Sequence, residues 1–399
     1  MKVTFNTEEL QGRLAQLGAV VQSKAPTPVY GFVHLFTELT ELADKTQVQS
    51  VKLRAMDIGA TLTVTLGQAK AEGAVSVLLP FDLLAELAAG LPTKEAVIDV
   101  ENETKATLRW GTRKSHAEML THPLNNLPSE LDKPQFATAE LGLPGFQTQI
   151  EAVEYVVESN SAKFTANVAL VHSLTENDDK GTPTKYLKLV ATNGYCMAIS
   201  RIAQDLPEFR LLIPKPALSI IRKLVGGTTK SLRIATVEAG YWFYTDTEVL
   251  TISKTSGEFP PYERILPKSI TTSIATTAKE LKAAIAMVRP LADKKLPSIT
   301  FKTATENAEW LSLDAANTSA ASAESASGFR TMADEEIAVK ATGPANDFSL
   351  NVAMLQPFLD KVVESALIIN AIVNTGVVDF NVVNGHVRFL QMPTNPANR

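Results

Sequence analysis

The stretch Leu10-Gln-Gly-Arg-Leu-Ala-Gln-Leu-Gly-Ala-Val-Val21 places apolar residues at i, i+4, i+7 and i+11, through Leu10, Leu14, Leu17 and Val21. That spacing is one face of an amphipathic helix. It returns at Phe146, Ile150, Val153 and Val157, and again at Leu281, Ile285, Val288 and Ala292, with starts 136 and 135 residues apart. A second helical pattern, Leu84/Leu87/Leu91, recurs as Leu218/Ile221/Val225 and Leu355/Phe358/Val362, with starts 134 and 137 residues apart. Helical spacing alone recurs by chance. Two series in the same order, sharing a period near one third of the chain, predict three homologous domains.

Between these helices the chain reads as strand, as in Ala60–Leu66, Lys185–Ala191 and Glu309–Asp314, which alternate or are β-branched. Further strands follow each second helix: Ala96–Val100 with Ala106–Trp110, Leu232–Ala235 with Tyr241–Ile252, and Leu367–Val373 with Val377–Val382 and Val387–Gln391. The expected class is α+β, three repeated domains each carrying two helices and antiparallel sheets. Prolines 123, 128 and 134 and Pro267 mark the boundaries, giving domains over residues 1–130, 138–266 and 270–399. The polar Asn177–Pro183 segment reads as a hairpin loop.

Length and composition agree. At about 150 residues per domain, 399 residues suggest two or three domains. With 45% hydrophobic and 20% charged residues, the chain has ample apolar surface to bury. The lone cysteine, Cys196, excludes an internal disulfide framework and a thiolate zinc site. Met1–Asn6 lacks the apolar run of a signal peptide, and the densest apolar stretch, Ala366–Val373, is broken by Asn370. A cytoplasmic, soluble protein is expected. The balance of 38 basic and 43 acidic residues, net −5, argues against a protein that holds nucleic acid by wrapping phosphates. Any such role needs local charge placement or shape.

The catalytic inventory is close to empty. The histidines (His34, His116, His122, His172, His386) form no metal-ligand pair at helical spacing. Asp178-Asp179 lacks the alternating oxygen ligands of a calcium loop. Gly226–Ser231 fails the phosphate-loop spacing and follows a helix, so it reads as a C-cap. No Gly-x-Ser-x-Gly elbow is present, and Cys196 has no histidine nearby in sequence. No cofactor is expected. Three similar domains can close into a ring of six modules if two chains associate head to tail.

Several segments resemble the bacterial DNA polymerase III beta subunit, the sliding clamp. They are Ala191-Thr-Asn-Gly-Tyr-Cys-Met-Ala198, Leu212-Ile-Pro-Lys215, Gly257-Glu-Phe-Pro-Pro-Tyr-Glu-Arg-Ile-Leu-Pro-Lys268 and Gln391-Met-Pro393, with Met1–Phe5 and Ala25-Pro-Thr-Pro28 in the same order. The resemblance implies a homodimeric ring with helices lining a hole for duplex DNA and sheets outside. Such a ring is a non-catalytic processivity factor, put on DNA by a clamp loader, that tethers the replicative polymerase and other proteins bearing a clamp-binding motif. It implies a partner-peptide pocket between the second and third domains, at Thr192, Gly194, Tyr195, Cys196, Met197, Pro260, Ile265, Leu390, Met392 and Pro393. Ile265 and Leu390 read equally well as core. For DNA contacts the resemblance carries over to Lys24 and Lys215; Arg222, Lys282 and Lys294, with Lys223, Lys279, Arg289 and Lys295, are candidates from their place on or after the predicted helices, against Glu151, Glu154, Glu158, Asp82 and Glu86 on others. Val288 and Leu291 are candidates for the dimer patch, with helix core the alternative for Val288.

Two departures stand out. Tyr195-Cys196 replaces a His-Arg pair and removes a cation from the pocket rim, and the chain continues past the Met-Pro segment as Thr394-Asn-Pro-Ala-Asn-Arg399. An alternative reading is therefore a specialised clamp paralogue with an altered pocket, serving repair or escaping an inhibitor. An enzyme with a site dispersed in sequence is the reading from another class.

Overall fold

The computed structural model describes residues 1–21, 27–41, 47–57, 59–111, 115–128, 130–159, 161–177, 181–225, 231–267, 269–292, 296–316, 332–371 and 376–394. The first third runs β1 (Lys2–Asn6), α1 (Thr7–Leu17), β2 (Phe32–Glu41), β3 (Gln47–Met56), β4 (Ala60–Leu66), β5 (Lys70–Glu72), β6 (Ser76–Pro80), α2 (Phe81–Ala89), β7 (Glu95–Asn102), β8 (Lys105–Trp110) and β9 (His116–Leu120). The second runs β10 (Ala139–Gly142), α3 (Leu143–Val153), β11 (Val168–Asn177), β12 (Pro183–Thr192), β13 (Cys196–Ala203), β14 (Phe209–Pro214), α4 (Lys215–Val225), β15 (Ser231–Thr236), β16 (Gly240–Tyr244) and β17 (Glu248–Ser253). The last runs β18 (Thr272–Thr277), α5 (Ala278–Val288), β19 (Ser298–Thr303), β20 (Trp310–Ala316), β21 (Met332–Ala338), β22 (Lys340–Thr342), β23 (Asn346–Asn351), α6 (Val352–Lys361), β24 (Ala366–Ala371), β25 (Val378–Val382) and β26 (Val387–Gln391). Each third is strand, helix, four or five strands, helix, three strands. The repeat read from helical spacing is a repeat of whole element order.

Capping chemistry starts several of these helices. The Asn6 side chain accepts from the Glu9 amide at 3.0 Å, and Asn351 does the same for Ala353 at 3.0 Å. Thr277 accepts from the Glu280 amide at 3.2 Å while its hydroxyl donates to the Glu280 carboxylate at 2.8 Å. The apolar stripes then bury: Leu10, Leu14 and Leu17; Phe146, Ile150, Val153 and Val157; Leu281, Ile285, Val288 and Ala292. Each such side chain contributes about 1.5–3 kcal/mol of burial. Val288 is thus core in the single chain, and Leu291 is half-buried. Three stripe positions fall short, Val21, Leu87 and Leu91, the last half-buried beyond the end of α2. Helix α1 stops at Leu17, so Val20 is buried instead of Val21, and on α2 Ala88 joins Leu84 inside while Leu87 is half-buried. The Gly226–Lys230 turn and Asp178-Asp179 lie outside the described residues, although β11 and β12 pair as a hairpin up to Asn177 opposite Pro183.

Contacts divide the chain into two compact units, Met1–Phe146 with Pro216–Thr255, and Gln147–Lys215 with Ser256–Arg399. The middle third is shared because sheets run on from one repeat into the next. In the first unit, β4 pairs antiparallel with β17, which makes an eight-stranded sheet β10-β15-β16-β17-β4-β3-β2-β6 beside the five-stranded β5-β1-β7-β8-β9. In the second unit, β13 pairs with β26, which makes a nine-stranded sheet β14-β11-β12-β13-β26-β25-β24-β18-β22 beside the four-stranded β21-β20-β19-β23. Read in opposite directions, the eight strands of the first match the first eight of the second in order, and β22 is the extra ninth. Their joints correspond too: Thr61 faces Thr251 in one, and Met197 faces Leu390 in the other.

Below the second joint, Phe389 stacks on Phe358 of α6 at 5.0 Å between centroids, with Phe380 6.1 Å away, and all three rings are fully buried. Substituting Phe389→Ala is expected to lower stability by about 3–5 kcal/mol, from lost burial and the cavity left behind. Urea unfolding of the variant against the parent measures this.

Candidate functional site

Strands β12 and β13 are joined by Asn193-Gly194-Tyr195, and this turn is built by side chains. The Thr192 hydroxyl donates to the Cys196 carbonyl at 2.9 Å and accepts from the Gly194 amide at 3.2 Å. The Asn193 carboxamide oxygen accepts from the amides of Tyr195 and Cys196 at 3.0 and 2.9 Å. Gly194 sits at φ +89°, a conformation glycine adopts without strain. The turn lifts Tyr195 outward, 58% exposed, while Cys196 and Met197 point inward at 6% and 3%. The Met392 amide donates to the Tyr195 carbonyl at 2.8 Å, so the ladder to β26 is continued past its last strand residue.

Met197 and Leu390, paired across that ladder, belong to one apolar cluster with Val168, Leu170, Val190, Ile199, Leu212, Phe259 and Tyr262. Phe164, Leu266 and Val377 pack on it half-buried. The segment after Gly257 forms one wall. A Cβ at Gly257, φ +133°, would lie 2.6 Å from the Phe164 ring, so glycine lets that ring close in. Tyr262 is pinned edge-on to His172, its hydroxyl 3.2 Å from Nε2, and Arg210 donates to the Phe259 carbonyl at 3.3 Å.

The rim is apolar yet open. Ile265 is 43% and Met392 48% exposed, Pro393 is exposed and Pro260 half-buried. Ile265 is thus at the surface and Leu390, at 1%, is core. Lys163 holds its ammonium 5.4 Å from the centre of the Tyr195 ring, a cation–π contact. Its loop is braced by reciprocal bonds between Ser161 and Asn167, the Ser161 amide to Oδ1 at 2.8 Å and Nδ2 to the Ser161 carbonyl at 2.7 Å. A segment about thirty residues earlier in the chain thus places a cation beside Tyr195. Sequence reading missed Lys163 and Phe164; no local motif marks them.

Chemically the cluster is apolar, and the ionisable groups buried with it are held neutral. Burial pushes the Cys196 thiol up to about 12, so at neutral pH it is protonated and a poor nucleophile. The Tyr155 hydroxyl is pushed well up by burial as well. Among the described residues, no three His, Cys, Asp or Glu side chains converge as metal ligands.

The basic residues singled out from sequence are scattered. Lys24 and Lys294 lie outside the described residues. Lys215 opens α4 half-buried, and Arg222 and Lys223 sit in its last turn. Lys282 on α5 pairs with Asp360 of α6 at 2.6 Å, which neutralises it locally. Lys279 and Arg289 are exposed.

No family model matches the chain. Among curated relatives, the beta sliding clamp of Pseudomonas putida is 23% identical over 361 residues, 89% of each chain. That of Proteus mirabilis is 25% identical over 307 residues, 75% of this chain and 77% of the relative. Among solved structures, the DNA polymerase III subunit beta of Pseudomonas aeruginosa superposes with a TM-score of 0.84 at 17% identity, covering 99% of this chain and all of that one. The Thermotoga maritima beta subunit gives 0.81 at 17% identity over 99% of both. The fold is that of these clamps, and the resemblance carried by the sequence motifs extends over most of the chain.

His172, beneath the apolar cluster, and His34, which stacks on Phe36 in the first unit, are both held down to about 4 from 6.5, chiefly by burial. Nearby cations add to this: Lys188 and Arg210 for His172, Arg54 for His34. Between these two values the unfolded chain binds protons that the folded chain does not. Stability is therefore full above about pH 6.5 and falls as pH drops towards 4, by up to about 3 kcal/mol per histidine. Urea midpoints at about pH 7.5 and about pH 5 measure the fall, and His172→Gln is expected to flatten it.

Proposed function

We propose that this chain is a DNA sliding clamp, a non-catalytic cytoplasmic ring of two head-to-tail copies that encircles duplex DNA and tethers a polymerase. The three repeats, residues 1–130, 138–266 and 270–399, act as its clamp domains. The observation that carries the proposal is the pair of open sheet edges. In both internal joints, the third strand of the run between one repeat's two helices pairs with the final strand of the next repeat: β4 with β17, β13 with β26. The same two kinds of strand are left at the ends of their sheets, β21 in the last repeat and β9 in the first. Joining β21 of one copy to β9 of another repeats the internal joint, and doing so twice closes a ring. β21 carries Asp334, Glu335 and Glu336; β9 carries His116 and Glu118, the cations of its neighbour β8 are paired with Glu118, Glu101 and Asp99, and Leu120 at the end of β9 is 78% exposed.

In a closed ring, retention on DNA is topological. That accords with a net charge of −5 and with scattered basic residues making sequence-blind phosphate contacts. Lys215, Arg222 and Lys282 are the contacts proposed among the described residues. The apolar cluster around Met197 and Leu390 is the partner pocket. It receives short peptides of the polymerase, the loader and other partners through a Leu or Phe side chain, with Tyr195, Ile265, Met392 and Lys163 at its rim.

Loaded on nicked circular plasmid with a clamp loader from its own source, the protein is expected to survive a high-salt wash and to be lost once the plasmid is linearised. Salt-sensitive binding that ignores linearisation overturns the ring. Substituting Met392→Glu at the exposed rim is expected to weaken a labelled peptide bearing adjacent Leu and Phe by about tenfold, roughly 1.4 kcal/mol, read by fluorescence anisotropy. Unchanged affinity rules this pocket out.

A further inference from the structure

The joint between β4 and β17 in the first unit repeats the one that carries the apolar cluster in the second, but its chemistry is different. Thr61 stands where Met197 does, Thr251 where Leu390 does, and Ser253 where Met392 does. Beside it lies a cavity of about 320 Å³, lined by these three hydroxyl residues, by Arg54 and Trp242, and by Pro128, Glu130, Leu131 and Lys133 of one strap. A joint of the same architecture thus borders a cleft lined by hydroxyls and charges.

Three features point to a ligand. Arg54 is fixed for recognition: its Nε donates to the Thr63 hydroxyl at 3.0 Å and its guanidinium lies 4.5 Å over the Phe36 ring. Its remaining fork is taken by a carboxylate of the chain itself, Glu130, from the strap. Glu130 is 54% exposed, so this pair is weak and exchangeable. Next to it, Lys52 and Lys133 share the single carboxylate of Glu38, which they hold down to about 2. Asp57 is the remaining acid of the lining. Finally, the Trp242 indole N–H is buried with no acceptor among the described residues, a donor left unsatisfied at a typical cost of about 1–3 kcal/mol.

We infer that this cavity is a second peptide site, for a partner segment that sets a Glu or Asp carboxylate on Arg54 and an adjacent apolar side chain against Trp242, Met56 and Leu131. Glu130 holds the carboxylate position until the peptide's acid displaces it. A peptide carbonyl then accepts from the Trp242 indole, and the hydroxyls along β4 and β17 meet the rest of its backbone. The two joints of the chain thus differ in selectivity: apolar anchors at one, acidic-apolar anchors at the other. The choice of a peptide rests on the pocket reading above; the carboxylate on Arg54 does not.

The test uses the full chain with Trp110→Phe and Trp310→Phe, leaving Trp242 as the only indole, and with Met392→Glu to weaken the other proposed pocket. The probes are acetyl-Leu-Phe-Asp-Glu-amide, its uncharged Asn-Gln counterpart, and free glutarate. The acidic peptide is expected to shift Trp242 emission and to bind about tenfold tighter than the uncharged one. Glu130→Gln, on the exposed strap, is expected to tighten the acidic peptide about fivefold by removing its competitor, and Arg54→Gln to abolish the preference for acid. The inference is overturned by no emission change up to about 1 mM, by equal affinity for both peptides, or by indifference to Glu130→Gln. Glutarate matching the peptide overturns the peptide assignment and leaves a plain carboxylate site. Since Met392→Glu is present throughout, none of these results depends on the apolar pocket.

Discussion

The backbone ladder between β13 and β26 is the constraint on which the candidate site depends. It joins residues almost two hundred positions apart, Cys196 to Gln391 and Met197 to Leu390, and it does so with main-chain hydrogen bonds. The register sets which side chains face the apolar cluster. A slip of one residue would turn Leu390 out and Gln391 in, and every contact of the cluster floor would change with it. The Asn193-Gly194-Tyr195 turn and the bond from the Met392 amide to the Tyr195 carbonyl lock that register at its outer end. Side-chain packing then follows from a geometry the backbone has already chosen.

Charge in the described residues is mostly settled locally. Lys282 answers Asp360, Lys188 answers Glu176, Arg388 answers Asp379, and Arg13 answers Glu248. Of these only Lys282–Asp360 is exposed on both sides and contributes little to stability, whereas Lys188, Glu248 and Asp379 are buried and would be left as uncompensated charges without their partners. The effect of all four pairs is to compensate these basic groups locally. Lys163 at the Tyr195 ring is an exception in placement, since its neighbour there is an aromatic face.

Much of this architecture was legible in the sequence because it is periodic. The stripes at Phe146–Val157 and Leu281–Ala292 are buried at every position, and Ala60–Leu66 and Val387–Gln391 are strands with the expected ends. Helix ends were less legible. Gly18 caps α1 and turns the chain, so the fourth stripe position passes from Val21 to Val20. What the sequence could not carry was partnership at long range. Nothing near Tyr195 announces Lys163, and nothing near Thr61 announces Trp242 or the 128–133 strap, because sheet pairing alone brings these segments together. The two-unit division was likewise hidden: composition marks where repeats end, whereas a sheet that crosses the boundary decides where cores lie.

Using the backbone as mortar has a consequence for how such chains change over generations. A joint made of N–H and C=O groups is nearly blind to the side chains it carries, so drift can rewrite a surface without unmaking the fold. The superposition with the Pseudomonas aeruginosa subunit, a TM-score of 0.84 at 17% identity, is what that permissiveness predicts. It also means that duplicated joints in one chain are free to diverge from each other. Thr61 opposite Thr251 and Met197 opposite Leu390 are two endpoints of that freedom, one hydrophilic and one oily, held in the same frame.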